Sequence, residues 1–176
     1  MFTRNNLIQL IKTKTPIIAE IGVEYGGFTD VYYNDNIKEL HLIDMWQTEG
    51  NDYYFSQRHG QVESGYEQVK FKYSNKQNIK LVKMKSSEAS SLYPSEYFDW
   101  IYIDADHSYS SVLEDIKNWY PKLKKNGVIS GHDFDPIITD ENYLNYGVEK
   151  AVEEFFGKDN FKLTEESNYK SWYVIK

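Results

Sequence analysis

Short apolar runs rich in β-formers alternate with stretches of helical periodicity along the 176 residues, and that alternation leaves little choice of architecture. Strand-like runs fall at Pro16 to Ile21, Glu39 to Ile43, Ile79 to Met84, Phe98 to Ile103 and Val128 to Gly131. Helical stretches lie between them at Thr29 to Asn34, around Tyr66 to Tyr73, at Ser87 to Leu92 and at Ser111 to Leu123. Strands joined through helices run parallel, because each helix carries the chain back along a face of the sheet. A parallel sheet is covered on both faces, so its strands read as near-continuous apolar runs. The expected fold is α/β, a Rossmann-like, doubly wound and mostly parallel sheet.

The helix at Ser111 to Leu123 is the clearest, since Val112, Leu113, Ile116, Trp119 and Tyr120 share one face. Ser111 and Glu114 have capping-box spacing at its start, and Lys124 to Gly127 supply charge and a turn at its end. One segment reads both ways. Val69, Phe71 and Tyr73 alternate as a strand would, whereas Tyr66, Val69 and Tyr73 fit a helix, and the order of elements selects the helix. Towards the C-terminus, Val148, Ala151, Val152, Phe155 and Phe156 form a helical stripe closed by Gly157. Phe161 to Leu163 and Trp172 to Ile175 then read as an antiparallel hairpin around the polar turn Glu165 to Asn168.

At the other end, Leu7, Ile8, Leu10 and Ile11 are interrupted by Arg4, Gln9 and Lys12. That fits neither a signal peptide nor a membrane span, and predicts a short amphipathic helix within residues 1–15, capped near Asn5 or Asn6. Residues 16–176 read as a single domain, in a protein expected to be cytoplasmic with no membrane partner. The absence of cysteine excludes disulfides, thiolate metal sites and cysteine nucleophiles. A net charge of −7 argues against nucleic acid as the main partner. The stretch with Lys70, Lys72, Lys76, Lys80, Lys83 and Lys85 is either a solvated face or a contact for an anion. Oligomeric state is left open.

Two acidic clusters carry the chemistry. Glu20-Ile-Gly-Val-Glu-Tyr-Gly26 follows the first strand and Asp104-Ala-Asp-His107 follows the fourth. In open α/β sheets, ligands bind outside the carboxyl ends of the strands, near the point where strand order reverses. Gly22 and Gly26 enclose a turn that a ligand can approach closely, but Glu24 stands where a dinucleotide site has its second glycine. A carboxylate there repels pyrophosphate and suits a ligand carrying positive charge. Asp44 closes the second strand, where an acid commonly accepts ribose hydroxyls or simply ends the strand. Ribose plus a cation points to S-adenosylmethionine.

These segments, together with Tyr102-Ile-Asp-Ala-Asp-His-Ser-Tyr109 and Trp119-Tyr-Pro-Lys-Leu-Lys-Lys-Asn-Gly-Val-Ile-Ser-Gly-His-Asp-Phe134, resemble the class I S-adenosylmethionine-dependent methyltransferases. The resemblance is to the small subgroup related to catechol-type and macrolide-sugar O-methyltransferases, and it runs from about Pro16 to Val174. It implies a seven-stranded sheet with the last strand antiparallel. It also implies that Glu20, Gly22 and Gly26 border the methionine end of the cofactor, Asp44 its ribose and Ser87 its adenine, with Met45 and Trp46 packing on that ring.

Asp104 and Asp133 are expected at the ends of neighbouring strands, close enough to share a proton, pair with cations or bind a metal. Oxygen ligands of this kind suit Mg²⁺. In metal-dependent relatives the matching positions are ligands, and His132 would be the third here. A histidine there either shifts the preference towards a transition metal or marks a site without a tight metal. His107 stands where catechol-type relatives place a base, and an ordinary value near 6.5 would suit that role at neutral pH. His132 follows as a candidate base, and His59 after it.

The expected reaction is methyl transfer to a hydroxyl oxygen of a small molecule or sugar. The alternatives are a cofactor-binding module without turnover, or a metal-dependent hydrolase or oxygenase using Asp104, His132 and Asp133. The aromatic stretch Trp46 to Phe55 and the segment Phe134 to Tyr146 would line the acceptor's entrance, and suit sugars as well as phenols.

Overall fold

The computed structural model describes residues 1–46, 59–135 and 146–176, the side chains of 59–63 excepted. Its seven strands are β1 (Ile17–Ile21), β2 (Glu39–Asp44), β3 (Ile79–Lys83), β4 (Phe98–Ile103), β5 (Leu123–Gly131), β6 (Lys162–Leu163) and β7 (Trp172–Ile175). They form one sheet in the order β3-β2-β1-β4-β5-β7-β6. The pairs from β3 through β5 are parallel, and β7 runs antiparallel to both β5 and β6. The expected doubly wound sheet with an antiparallel last strand is therefore present. Strand order reverses between β1 and β4, so the loops leaving those two strands share one rim.

Helices α1 (Gly27–Tyr32), α2 (His59–Lys72), α3 (Ser86–Ala89), α4 (Tyr109–Trp119) and α5 (Val148–Phe156) cover the sheet. One face packs Ile18, Leu40, Leu42, Trp100 and Tyr102 against Phe28, Tyr32 and Val69 from α1 and α2. The other packs Ala19, Ile21, Ile101, Ile103 and Ile129 against Val112, Ile116, Trp119, Ala151 and Val152 from α4 and α5. The ambiguous segment is a helix: Val69 is fully buried while Phe71 is 84% exposed, which a half-buried strand holding both on one face would not produce.

Three local expectations are corrected. α4 starts at Tyr109 with Ser108 as its cap, whose Oγ accepts the Ser111 N–H; the Ser111 and Glu114 spacing plays no capping part. β5 begins at Leu123 rather than Val128, because Lys124 to Gly127 form a bulge between the pairs Phe98 with Leu123 and Trp100 with Val128. Asn126 takes φ +64° there, so the turn chemistry was real but is absorbed within the strand. The N-terminal segment forms a 3₁₀ helix at Arg4–Leu10, capped by Thr3 with Asn6 as its reciprocal partner, and buries Leu7 completely. Among the described residues, no helix is long and apolar enough to cross a membrane.

Candidate active site

The loop after β1 lies against the end of β4. The Gly22 N–H donates to the Ile43 carbonyl at 2.9 Å and the Asp104 N–H to the Ile21 carbonyl at 2.7 Å. Gly22 has φ +84°, and a Cβ there would stand 2.0 Å from the Asp104 carbonyl oxygen, so close backbone approach already requires glycine. Gly26 caps α1 in the left-handed region with φ +71°.

Asp44 holds this loop in place. Its Oδ2 accepts the N–H groups of Val23 and Glu24 at 2.8 and 2.9 Å, and its Oδ1 accepts that of Trp46 at 2.7 Å. Met45 beside it is half-buried. Trp46 is 1% exposed, donates its indole N–H to the Glu24 carbonyl at 2.8 Å and packs on Tyr66. Glu20 does not stand on the open rim: it is 1% exposed beneath α1, accepting the hydroxyls of Thr29 at 2.6 Å and Tyr32 at 2.5 Å. Burial pushes its carboxyl up to about 7, against the lowering effect of those hydrogen bonds.

The second cluster converges on His107. Its Nε2 lies 2.9 Å from Asp133 Oδ2 and 3.4 Å from Asp104 Oδ1, and its ring stacks on Tyr146 at 4.9 Å. The Gly147 N–H donates to the His107 carbonyl at 2.8 Å, which ties the loop after β4 to the start of α5. Asp133 is buried with φ +57°, a conformation that lets its carboxylate meet both His107 and, at 3.1 Å, His132 Nδ1. A cleft lined by Asp104, Asp106, His107, Val112, His132 and Trp172 opens beside them.

The electrostatics revise the base argument. Burial alone would lower the His107 imidazole, but hydrogen bonds and charge from Asp104 and Asp133 prevail and raise it to about 9. It is therefore an imidazolium at neutral pH, where an unperturbed histidine would be mostly neutral. Burial would raise the Asp133 carboxyl, yet the hydrogen bonds from His107 and His132 hold it well below the usual carboxylate range. Of the residues expected to hold a metal, Asp104 and Asp133 converge with His107: one ligand atom from each of these three lies within 4.8 Å of the others. Among the described residues, His107 reaches both carboxylates, whereas His132 reaches Asp133 and not Asp104.

Ser87 is half-buried in the first turn of α3, its carbonyl accepting the Ser90 hydroxyl. Its neighbour Ser86, which sequence reasoning missed, donates to Asp115 Oδ1 at 2.5 Å and accepts the Trp119 indole N–H at 2.7 Å. Burial pushes the Asp115 carboxyl up to about 7. The signal was available, because Asp115 interrupts the apolar stripe of α4. Of the proposed acceptor walls, Trp46 and Phe134 are buried, and Tyr146 stacks on His107; residues 47–55 and 136–145 lie outside the described residues, as does the His59 side chain. Four lysines of the lysine-rich stretch are ion-paired, Lys70 with Glu67, Lys72 with Asp30, Lys76 with Asp35 and Lys80 with Glu39, and Lys83 lies over the Tyr66 ring.

A family model described as a methyltransferase domain matches residues 19–134. The chain belongs to that methyltransferase-domain family. Its fold is shared by a Staphylococcus aureus protein assigned as a caffeoyl-CoA O-methyltransferase, at TM-score 0.69 and 16% identity over 98% of this chain and 82% of that one. An rRNA methylase from Streptococcus thermophilus superposes at TM-score 0.67 and 14% identity, covering 100% and 98% of the two chains. CalS11, a TDP-rhamnose 3′-O-methyltransferase of calicheamicin biosynthesis, gives TM-score 0.62 and 16% identity over 97% and 76%. Against two spermidine synthases the chain spans only 57% and 58% of their length. No curated protein matches it in sequence.

Proposed function

We propose that the protein is an S-adenosylmethionine-dependent methyltransferase acting on a hydroxyl of a small molecule, a phenol or a sugar. The observation that carries this reading is the convergence of Asp104, His107 and Asp133 at the rim shared by β1 and β4, next to the glycine loop of a methyltransferase-family chain. The residues suit the cofactor. A carboxylate offers about four acceptor positions, and Asp44 has three occupied by N–H donors, which leaves one for a ribose hydroxyl. Asp104 is partly exposed on the rim and suits an ammonium. Gly22 and Gly26 would border the methionine end, and Met45 and Ser87 the adenine.

S-adenosylmethionine supplies a methyl group carried on a sulfonium sulfur. The chain's own work is alignment and proton handling. As an imidazolium, His107 holds Asp104 and Asp133 together, and once neutral its Nε2 takes the proton of the acceptor hydroxyl. A divalent cation would be held by Asp104, Asp133 and His107 once His107 has given up its proton, with His132 beside them; the imidazole makes this donor set suit a transition metal more than Mg²⁺, and either ion would lower the pKa of a coordinated hydroxyl. A small acceptor is favoured over nucleic acid because the net charge is −7 and four of the six lysines in the one lysine-rich stretch are paired with acids.

The test is thermal unfolding with saturating S-adenosylhomocysteine, with and without Mg²⁺, followed by methyl transfer to catechols and nucleotide sugars. A ligand at about 100 times its Kd adds about 2.7 kcal/mol, a shift of several degrees. No shift with the nucleoside would refute the reading.

A further inference from the structure

The cofactor proposed above ends in an α-amino acid, and Asp104 suits only its ammonium. Its carboxylate calls for a cation with unused donors at the same rim. Arg4 is placed there by the N-terminal 3₁₀ helix, which is anchored on both sides. Leu7 is fully buried in the cluster that holds Ile18, Val23 and Phe28. The backbone is fastened to the β6–β7 connection, with the Phe2 N–H on Glu165 Oε2 at 2.7 Å, the Arg4 N–H on Glu166 Oε1 at 2.5 Å, and the Glu165 N–H on the Phe2 carbonyl at 2.7 Å.

The Arg4 guanidinium lies over the Phe28 ring at 4.7 Å from its centre, an arrangement that stiffens the side chain. Its Nη1 is 3.7 Å from Asp104 Oδ2, near enough for attraction and too far for a hydrogen bond. Among the described residues its five N–H donors have no hydrogen-bond acceptor, and the side chain is 31% exposed. Asp104 meanwhile divides its oxygens: Oδ1 faces His107, and Oδ2 faces Arg4. A guanidinium and a carboxylate side by side, neither saturated by the other, complement a zwitterion in which ammonium and carboxylate sit on one carbon.

We propose that Arg4 and Asp104 form the receptor for the zwitterionic end of the cofactor, the Arg4 guanidinium taking the carboxylate and Asp104 Oδ2 the ammonium. This rests on the reading of S-adenosylmethionine as the cofactor. It makes Arg4 a specificity residue: it distinguishes nucleosides that carry the full amino acid from those that have lost the carboxyl group.

Calorimetric titration of the full chain with S-adenosylhomocysteine, and with its decarboxylated analogue that keeps the amino group, tests the assignment. Arg4→Met retains the apolar stem over Phe28 and removes the donors. It is expected to weaken S-adenosylhomocysteine roughly 10- to 100-fold, the range of a lost charge-assisted hydrogen bond, and to leave the decarboxylated analogue no weaker. Arg4→Lys keeps the charge without the planar fork and is expected to fall between Arg4→Met and the unmodified protein. Equal loss for both ligands in Arg4→Met, or no loss for either, overturns the role of Arg4 while leaving the cofactor reading intact. Failure of the unmodified protein to bind S-adenosylhomocysteine overturns both. Thermal unfolding of each variant without ligand separates a lost contact from a lost fold.

Discussion

Replacing Glu20 by glutamine should make the protein more stable at pH 8 and change little at pH 5. In the folded chain its carboxyl is buried beneath α1 and protonates at about 7, against an ordinary value of 4.5. Between those values the folded state keeps a proton that the unfolded chain has released. Stability contributed by this group is therefore highest below 4.5, falls as pH rises, and is lost once pH exceeds about 7. The interval corresponds to about 3 kcal/mol, which for a chain of this size is a melting shift of roughly 6 to 12 °C.

Glutamine preserves the shape, and its carbonyl oxygen can accept both the Thr29 and Tyr32 hydroxyls, which now converge on one oxygen of Glu20. The variant thus loses the penalty of a buried charge while keeping the hydrogen bonds. Asp115 is also raised to about 7 by burial and tilts the pH profile of the unmodified protein in the same direction. The informative quantity is consequently the difference between two urea-unfolding series, unmodified and Glu20→Gln, each taken from pH 5 to pH 8. Parallel profiles would refute the reasoning, because they would mean that Glu20 is no harder to ionise in the folded state than in the unfolded chain.

Gly22→Ala places a methyl carbon 2.0 Å from the Asp104 carbonyl oxygen at φ +84°. A stability loss of about 3 kcal/mol or more is expected in chemical denaturation, together with weaker S-adenosylhomocysteine binding; a loss below about 1 kcal/mol would contradict the close approach. Tyr102→Phe should be neutral or stabilising by up to about 1 kcal/mol, since the buried hydroxyl, beside that of Ser171, has no well-formed hydrogen bond among the described residues. A lower melting temperature would count against it. For methyl transfer without added metal, the rate should climb with pH towards about 9, where His107 loses its proton, and His107→Gln should abolish that limb. Added Mg²⁺ should move the limb to lower pH, and a profile indifferent to both changes would remove His107 from the proton path.

How much of this was legible in the chain differs from element to element. The strands β1 to β4 and the stripes of α4 and α5 stand in the sequence because burial on one or two faces imposes a period, and period is a local property. Ser108 as the cap of α4 was missed because Ser111 offered the same chemistry three residues later, and the choice depends on where the loop from β4 arrives. The bulge in β5 was read as a turn because an Asn-Gly pair signals a turn, and Asn126 takes the left-handed backbone that either setting uses. Asp104, His107, His132 and Asp133 were all legible as chemistry-bearing residues, but that one ring, His107, spans both carboxylates follows from its reach across the rim, which sequence spacing does not encode.

The sequence by itself determined the layered architecture and which strands end in glycine loops or acids at one rim. Tertiary structure decided the state of those groups. A carboxylate at the end of a strand can face solvent, a helix or a histidine with no change in local pattern. Glu20 went beneath α1, Asp44 closed on the loop after β1, and Asp133 turned towards two imidazoles. Ionisation depends on burial and on charges brought from distant parts of the chain, so His107 at about 9 and Arg4 beside Asp104 became visible only when the chain was folded.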